Sequence, residues 1–303
     1  MISWQGLRMR TLCFLSCLAV CLGSASALGV EGPTAAGPLG GTDIRSAQLP
    51  PPGLYGGTFA GWAEATEFVD GKGNLVAGLD DAHLNRGLVA PFFTYVPNFE
   101  VLGGSVAFSA ILPGGESCGH LLGGTPTECL SAIGDLYVEA DWSRGFGFWR
   151  PSQYAGASPI FEGLSVLLGF GVVFPTGDYD AALSYGSGPI IGTNIYDFAP
   201  SIAINYVTSP ILADGTEFAA KLYWNYYTDN GDTNYHSGEL ISIDFAMTER
   251  IGIVQAGITG TYSKQIEDDR FNGIPVSPDG RRFEVLTLGG VVQVDIPDRK
   301  SVG

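Results

Sequence analysis

From Leu54 onward, polar and apolar residues alternate with a period of two. The clearest stretch is Thr216 to Tyr227. There Phe218, Ala220, Leu222, Trp224 and Tyr226 fall on one parity, and Glu217, Ala219, Lys221, Tyr223, Asn225 and Tyr227 on the other. Successive side chains of a strand point to opposite faces, so this pattern predicts a strand with one apolar and one polar face. Glu139 and Asp141 alternate with Val138, Ala140 and Trp142 in the same way. So do Ser242 and Asp244 with Ile241, Ile243 and Phe245, Gln255 with Val254 and Ala256, and Gln293 with Val292 and Val294. The pattern predicts ten strands, near 54–67, 88–96, 100–112, 134–142, 162–174, 196–207, 216–227, 239–247, 252–263 and 282–296. Most have about the nine to thirteen residues that a tilted strand needs to cross a bilayer.

The polar faces carry Ser, Thr, Asn, Gln and a few acids, with little of the Lys and Glu that coat a soluble sheet. Apolar faces end in Trp142, Trp224, Tyr226 and Tyr262, as an interfacial aromatic girdle would. Connections mostly alternate short and long; Pro97–Phe99, Thr208–Gly215 and Thr248–Ile251 are short. Together these features predict an all-β fold, a transmembrane antiparallel up-and-down β-barrel over residues 54–303, with ten strands visible. A soluble or surface-attached ligand-binding β-sandwich is the alternative. One connection does not fit: Ser143 to Phe161 should be a short turn and reads as long. The apolar run Leu164–Phe174 is too short for a spanning helix and is interrupted by Gly169 and Gly171.

Residues 1–27 read as a secretory signal, with Arg8 and Arg10, an apolar run from Thr11 to Gly23, and a cleavage site at Ala25-Ser26-Ala27. Acylation at Cys21 is disfavoured by the bulky Val20. A Gly/Pro-rich leader without periodicity, residues 28–53, follows. The net charge is −16, and losing the signal removes two bases and no acid. Such a surface excludes nucleic acid as a partner, because phosphates need a basic face. The expected partners are outer-membrane lipid, barrel-insertion machinery and a small-molecule solute.

Past the signal, Cys118 and Cys129 remain, in a Gly-rich connection of an oxidising compartment, which predicts a disulfide in an outer loop. No catalytic motif is visible, and His83, His120 and His236 all fall in predicted loops. Neither Asp229–Asp232 nor Glu267-Asp268-Asp269 has calcium-loop spacing, so both read as solvated loop acids. No metal or cofactor is expected. The lumen-lining candidates are Glu139, Asp141, Glu217, Lys221, Asn225, Asp244 and Gln255, together with Glu64 and Gln293. Lys221 could pair with Asp244 or Glu217. Such groups either satisfy one another and plug the barrel or form a polar path for solute.

Several stretches resemble one family. Ser46-Ala47-Gln48-Leu49-Pro50-Pro51-Pro52-Gly53, running into Leu54-Tyr55-Gly56-Gly57, is similar to the mature start of the family named for the meta-pathway of phenol degradation. Phe174-Pro175-Thr176-Gly177-Asp178-Tyr179-Asp180, Tyr196-Asp197-Phe198-Ala199-Pro200 and Asp279-Gly280-Arg281-Arg282 fit its other motifs. The resemblance spans residues 44 to 297. It implies an outer-membrane channel or transporter-like protein for small, hydrophobic or aromatic compounds, with no catalytic residues to carry over. It also implies about twelve strands and a terminal aromatic, whereas this sequence stops at Gly303 just past the tenth strand. The expectation is therefore a ten-strand barrel or one whose last hairpin is missing.

Overall fold

The structure, a computed structural model, describes residues 44–65, 83–120, 128–155, 157–181, 192–277, 279–282 and 284–295. The signal segment and residues 28–43 of the leader lie outside these. The predicted alternation becomes a run of long antiparallel strands. They are β1 (Gly53–Ala65), β2 (His83–Val96), β3 (Glu100–Val101), β4 (Gly104–Ile111), β5 (Gly114–His120), β6 (Glu128–Ile133), β7 (Leu136–Arg150) and β8 (Ile160–Phe174). Then follow β9 (Asp197–Val207), β10 (Thr216–Tyr227), β11 (Tyr235–His236), β12 (Leu240–Ile251), β13 (Val254–Gln265), β14 (Arg270–Phe271), β15 (Ile274–Pro275) and β16 (Glu284–Val294). The wall runs β1-β2-β4-β7-β8-β9-β10-β12-β13-β16, each strand antiparallel to the next. Among the described residues β1 and β16 are not paired with each other.

Burial along the wall is inverted relative to a soluble sheet. In β10, Glu217, Lys221 and Asn225 are buried, while Phe218, Leu222, Trp224 and Tyr226 are exposed. In β9, Ser201 and Asn205 are buried between exposed Ile202, Ile204 and Tyr206. Asn225 is 0% exposed and Trp224 beside it 47%. Water would penalise such a surface; a bilayer favours it, because lipid solvates the apolar face while the strands satisfy the backbone. The soluble sandwich is overturned on this ground, since its apolar face would have to be the buried one. Aromatic rings gather at the loop end of β8–β10, with Phe174 against Tyr196 (centroids 5.9 Å) and Phe198 against Tyr226 (6.4 Å). Trp224 Nε1 donates to Glu239 there and the Tyr262 hydroxyl to Glu284, so each ring keeps a wet end.

Two connections differ from expectation. The third holds a hairpin, β5–β6, which pairs with the first half of β2 while β4 takes the second half. Its Gly-rich sequence has no apolar alternation, which is why pattern alone missed it. Cys118 and Cys129 sit directly opposite each other in this hairpin and form the disulfide, with Cα atoms 4.0 Å apart. The fourth connection is shorter than it reads. β7 continues to Arg150 through the aromatic and glycine-rich Gly145–Trp149, leaving residues 151–159. That turn is tied to its neighbours: Asp214, from the β9–β10 turn, accepts from the Ser152 hydroxyl (2.5 Å), Gln153 N (3.0 Å) and Gly252 N (3.0 Å).

The P-T-G-D stretch after β8 has a structural role. The Thr176 hydroxyl accepts from Leu136 N, Asp178 accepts from Ile133 N, and Gly177 N donates to Asp135. A Cβ at Gly177 would collide with the backbone of Gly134. The motif thus clamps the loop after β8 onto the turn between β6 and β7.

Candidate functional site

The inward parity of the wall defines the candidate site, in three layers. In the middle layer, β7 supplies Tyr137, Glu139 and Asp141, β10 supplies Lys221 and Tyr223, and β12 supplies Asp244. Glu139 Oε1 accepts from Lys221 Nζ (2.9 Å) and from the Ser201 hydroxyl (3.3 Å). Lys221 also lies over the Tyr223 ring, 4.8 Å from its centre. Although Asp244 is opposite Lys221 in the β10–β12 register, the ion pair is with Glu139, and Asp244 accepts from the Thr261 hydroxyl (2.8 Å). Room for these side chains comes from β8, whose inward positions include Gly169 and Gly171. A Cβ at Gly171 would strike the Tyr137 hydroxyl, and one at Gly169 would strike the Asp141 and Glu139 carboxylates.

At the short-turn end, Gln255 Nε2 donates to Glu217 (2.9 Å) and to the Thr248 hydroxyl (2.7 Å). Asp295 accepts from Arg250 (2.8 Å) and from Gln293 (2.9 Å). At the loop end, Asn225 Nδ2 donates to Asp197 (2.6 Å), and buried Asp269 accepts from the Tyr235 hydroxyl (2.5 Å), Gln265 (2.7 Å) and Gly238 N (2.8 Å). Every residue proposed from sequence as lumen-lining therefore has inward parity, Glu139 half-buried and the rest buried. The exception is Glu64, which shares the outward parity of exposed Trp62 and is itself exposed. One sector is aromatic instead of polar: Phe59 of β1 stacks on Phe92 of β2, centroids 4.8 Å apart, above buried Tyr55.

Pattern reading missed the leader. Residues 44–49 lie inside the wall at the short-turn end. Arg45 bonds Asp295 (2.7 Å) and Gln255 (3.2 Å), and its backbone N donates to Glu217 (2.6 Å). Ala47 is fully buried against Leu167 and Ala203. The available signal was Arg45, the one base of the leader, immediately before an acid-rich barrel.

The loop acids are occupied by protein partners. Asp268 accepts from Arg282 (2.6 Å) and Asp229 pairs with His236 (2.7 Å). Burial raises the pKa of Asp269. For Asp214, burial acts in the same direction but is outweighed by the bonds from Ser152, Gln153 N and Gly252 N, which hold it below the usual carboxylate range. Among the described residues no group of three or more His, Cys, Asp or Glu is placed to hold a metal ion.

Comparison with known proteins bears on this architecture. The chain shares its fold with an outer membrane channel of Pseudomonas putida F1, at a TM-score of 0.62 and 13% identity. The match covers 84% of this chain and 98% of that one. Among curated proteins none matches this chain in sequence. The family profile described as "Putative MetA-pathway of phenol degradation" matches residues 65–303. With the fold of an outer-membrane barrel and that match over most of its length, the chain belongs to this phenol-degradation family.

Proposed function

We propose that the protein is an outer-membrane channel for small, hydrophobic or aromatic compounds. The observation that carries the reading is the inverted wall: a continuous exposed apolar face outside and a hydrogen-bonded polar face within. The Phe59–Phe92 stack on β1 and β2 offers an aromatic solute a ring surface, and the Glu139/Lys221 layer, across β4, a polar one. Residues 1–27 direct export and are cleaved after Ala27, residues 28–53 form the leader, and the barrel-insertion machinery assembles the rest in the outer membrane.

The test is current across a planar bilayer containing the purified, folded protein. Discrete conductance steps that phenol or benzoate reduces and glucose leaves unchanged would support both the channel and its solute class. Equal effects of all three would leave a channel without aromatic preference, and absence of current would contradict the channel.

A further inference from the structure

The β7–β8 hairpin outruns both of its neighbours at the short-turn end. Ser105 of β4 stands opposite Ser143, and β4 begins beside it at Gly104. Among the described residues, no strand of the wall therefore pairs with the β4 side of β7 from Gly145 to Arg150. On the other side β9 stops at Val207, opposite Gly163, while β8 starts at Ile160. Arg144, Arg150 and Glu162 lie on the outward parity of this ribbon, and Arg150 Nε pairs with Glu162 (2.7 Å). Charged groups on that parity put the ribbon past the hydrocarbon, on the periplasmic side where short turns lie. Asp214 fixes its turn through the Ser152 hydroxyl and Gln153 N.

Two backbone bonds determine which groups point out of the open edge. Leu112 N donates to Pro91 O (3.2 Å), and Thr208 N to Thr216 O (2.9 Å). Antiparallel residues bond alternately to the neighbour on either side. Carried along the registers from both directions, the two bonds turn the N–H and C=O of Gly145, Gly147 and Trp149 toward the open side. Rings flank this edge on both faces. Trp149 meets Phe161 edge-on over the inward face (centroids 5.4 Å), and Phe146 and Phe148 stand on the outward one. Phe146, Phe148 and Trp149 are 54%, 60% and 67% exposed. An open edge with glycines and bare rings is a template for another chain. It is closed at the bilayer end by the turn between β3 and β4. Exposed Arg144 lies there, donating to Leu102 O (3.1 Å) and covering the Phe146 ring at 5.2 Å.

We propose that the open edge of β7, Gly145–Arg150, captures the carboxy-terminal tail of a periplasmic protein as an added antiparallel strand, with Arg144 binding the terminal carboxylate. Here β7 runs away from the bilayer, so an antiparallel strand runs toward it and has to end at the turn between β3 and β4. A chain end fits such a blind slot and an internal loop does not. Arg144 spends one of its donors on Leu102 O and keeps others for a carboxylate. The open stretch takes about six residues of an extended tail. Its side chains meet Phe146 and Phe148 on one face and the Trp149–Phe161 pair on the other, so apolar residues suit both parities. A second copy fits poorly. Copies in one membrane insert the same way up, and a twofold along the membrane normal brings their β7 strands together parallel with faces exchanged, which no regular ladder accepts.

The test uses folded protein in lipid nanodiscs and a fluorescein-labelled heptapeptide of alternating threonine and valine, ending in phenylalanine with a free carboxylate. Binding is read by fluorescence anisotropy. The free acid is expected to bind and its carboxamide to bind several-fold more weakly. Of two versions N-methylated at alternate backbone nitrogens, one phase should lose binding and the other keep it, because only every second N–H faces β7. Arg144→Gln, its fold verified by the heat-modified gel shift, should bring the free acid down to the carboxamide's affinity and leave the carboxamide unchanged. Equal affinity of acid and carboxamide for wild type would overturn the capture of a chain end. Equal effects of the two methylation phases would overturn strand addition, and failure of every peptide to bind folded wild type would overturn the site. Disulfide trapping of two Phe148→Cys copies that excludes the peptide would assign the edge to a second copy. Binding that appears only after deletion of residues 28–43 would assign it to the chain's own leader. Either result overturns the proposal. No arm uses current, so the channel reading stands or falls separately.

Discussion

Lys221 Nζ lies 2.9 Å from Glu139 Oε1, although the two residues stand on β10 and β7, with β8 and β9 between them. Neighbouring strands are about 4.8 Å apart, so strands three apart on a flat sheet would sit roughly 14 Å from each other. Contact between their side chains requires a wall that curves sharply inward at this level. Gln255 reaching Glu217 past β12 makes the same point on the next sector. Curvature, inward polarity and the cross-wall ion pair are one arrangement, and it gives the expectation for the pair. Lys221→Met should cost about 1–3 kcal/mol, because Glu139 keeps its inward position without its cation. Adding Glu139→Gln should recover much of the loss. The heat-modified gel shift of the folded barrel, followed with temperature, measures both.

Gly171→Val should destabilise the barrel or force Tyr137 out of the middle layer, since its added carbons enter the space of the Tyr137 hydroxyl. Gly171→Val with Tyr137→Ala should fold better than the single variant. Equal thermal stability of Gly171→Val and wild type would show that the middle layer is looser than this packing.

Reduction of the Cys118–Cys129 bond should loosen the β5–β6 hairpin without opening the barrel, because among the described residues the hairpin pairs with the wall through β2 and is tied besides at its base, where Ile133 bonds Asp178. Limited proteolysis should then cut within the hairpin while the gel shift of the folded barrel persists. A disulfide of this kind contributes about 2–4 kcal/mol, here to a local unit. Loss of the whole barrel on reduction would contradict that independence.

Asp214 should make the short-turn end acid-sensitive. Its folded pKa is depressed, so its contribution is present above the unfolded value and is lost as pH falls through the folded one. The window therefore lies at and below the ordinary carboxylate range of about 4. Asp214→Asn should remove that acid step and lower stability at neutral pH, read from thermal unfolding at pH 7 and pH 3.

Much of the wall was legible because a spanning strand must alternate, and β9, β10 and β12 alternate throughout. The boundaries that moved are those where glycine interrupts the code. Gly145 and Gly147 hid the second half of β7, and the Gly-rich β5–β6 hairpin carries no apolar face. Side-chain partners were less legible than parity. Facing strands suggested Lys221 with Asp244 or Glu217, but strand order fixes only near neighbours, whereas curvature brings Glu139 within reach from three strands away. The leader was opaque for a similar reason. Arg45 takes its meaning from Asp295, 250 residues later, and only the curvature of the wall brings them together.

The inverted wall is the central claim, and spin labels placed one at a time from Thr216 to Tyr227 in lipid bilayers test it most directly. Accessibility to oxygen, which concentrates in the bilayer, should alternate with a period of two and peak at positions 218, 220, 222, 224 and 226, with minima at 217, 219, 221, 223 and 225. Peaks at 221 and 223 with minima at 222 and 224, or a profile without alternation, would contradict it.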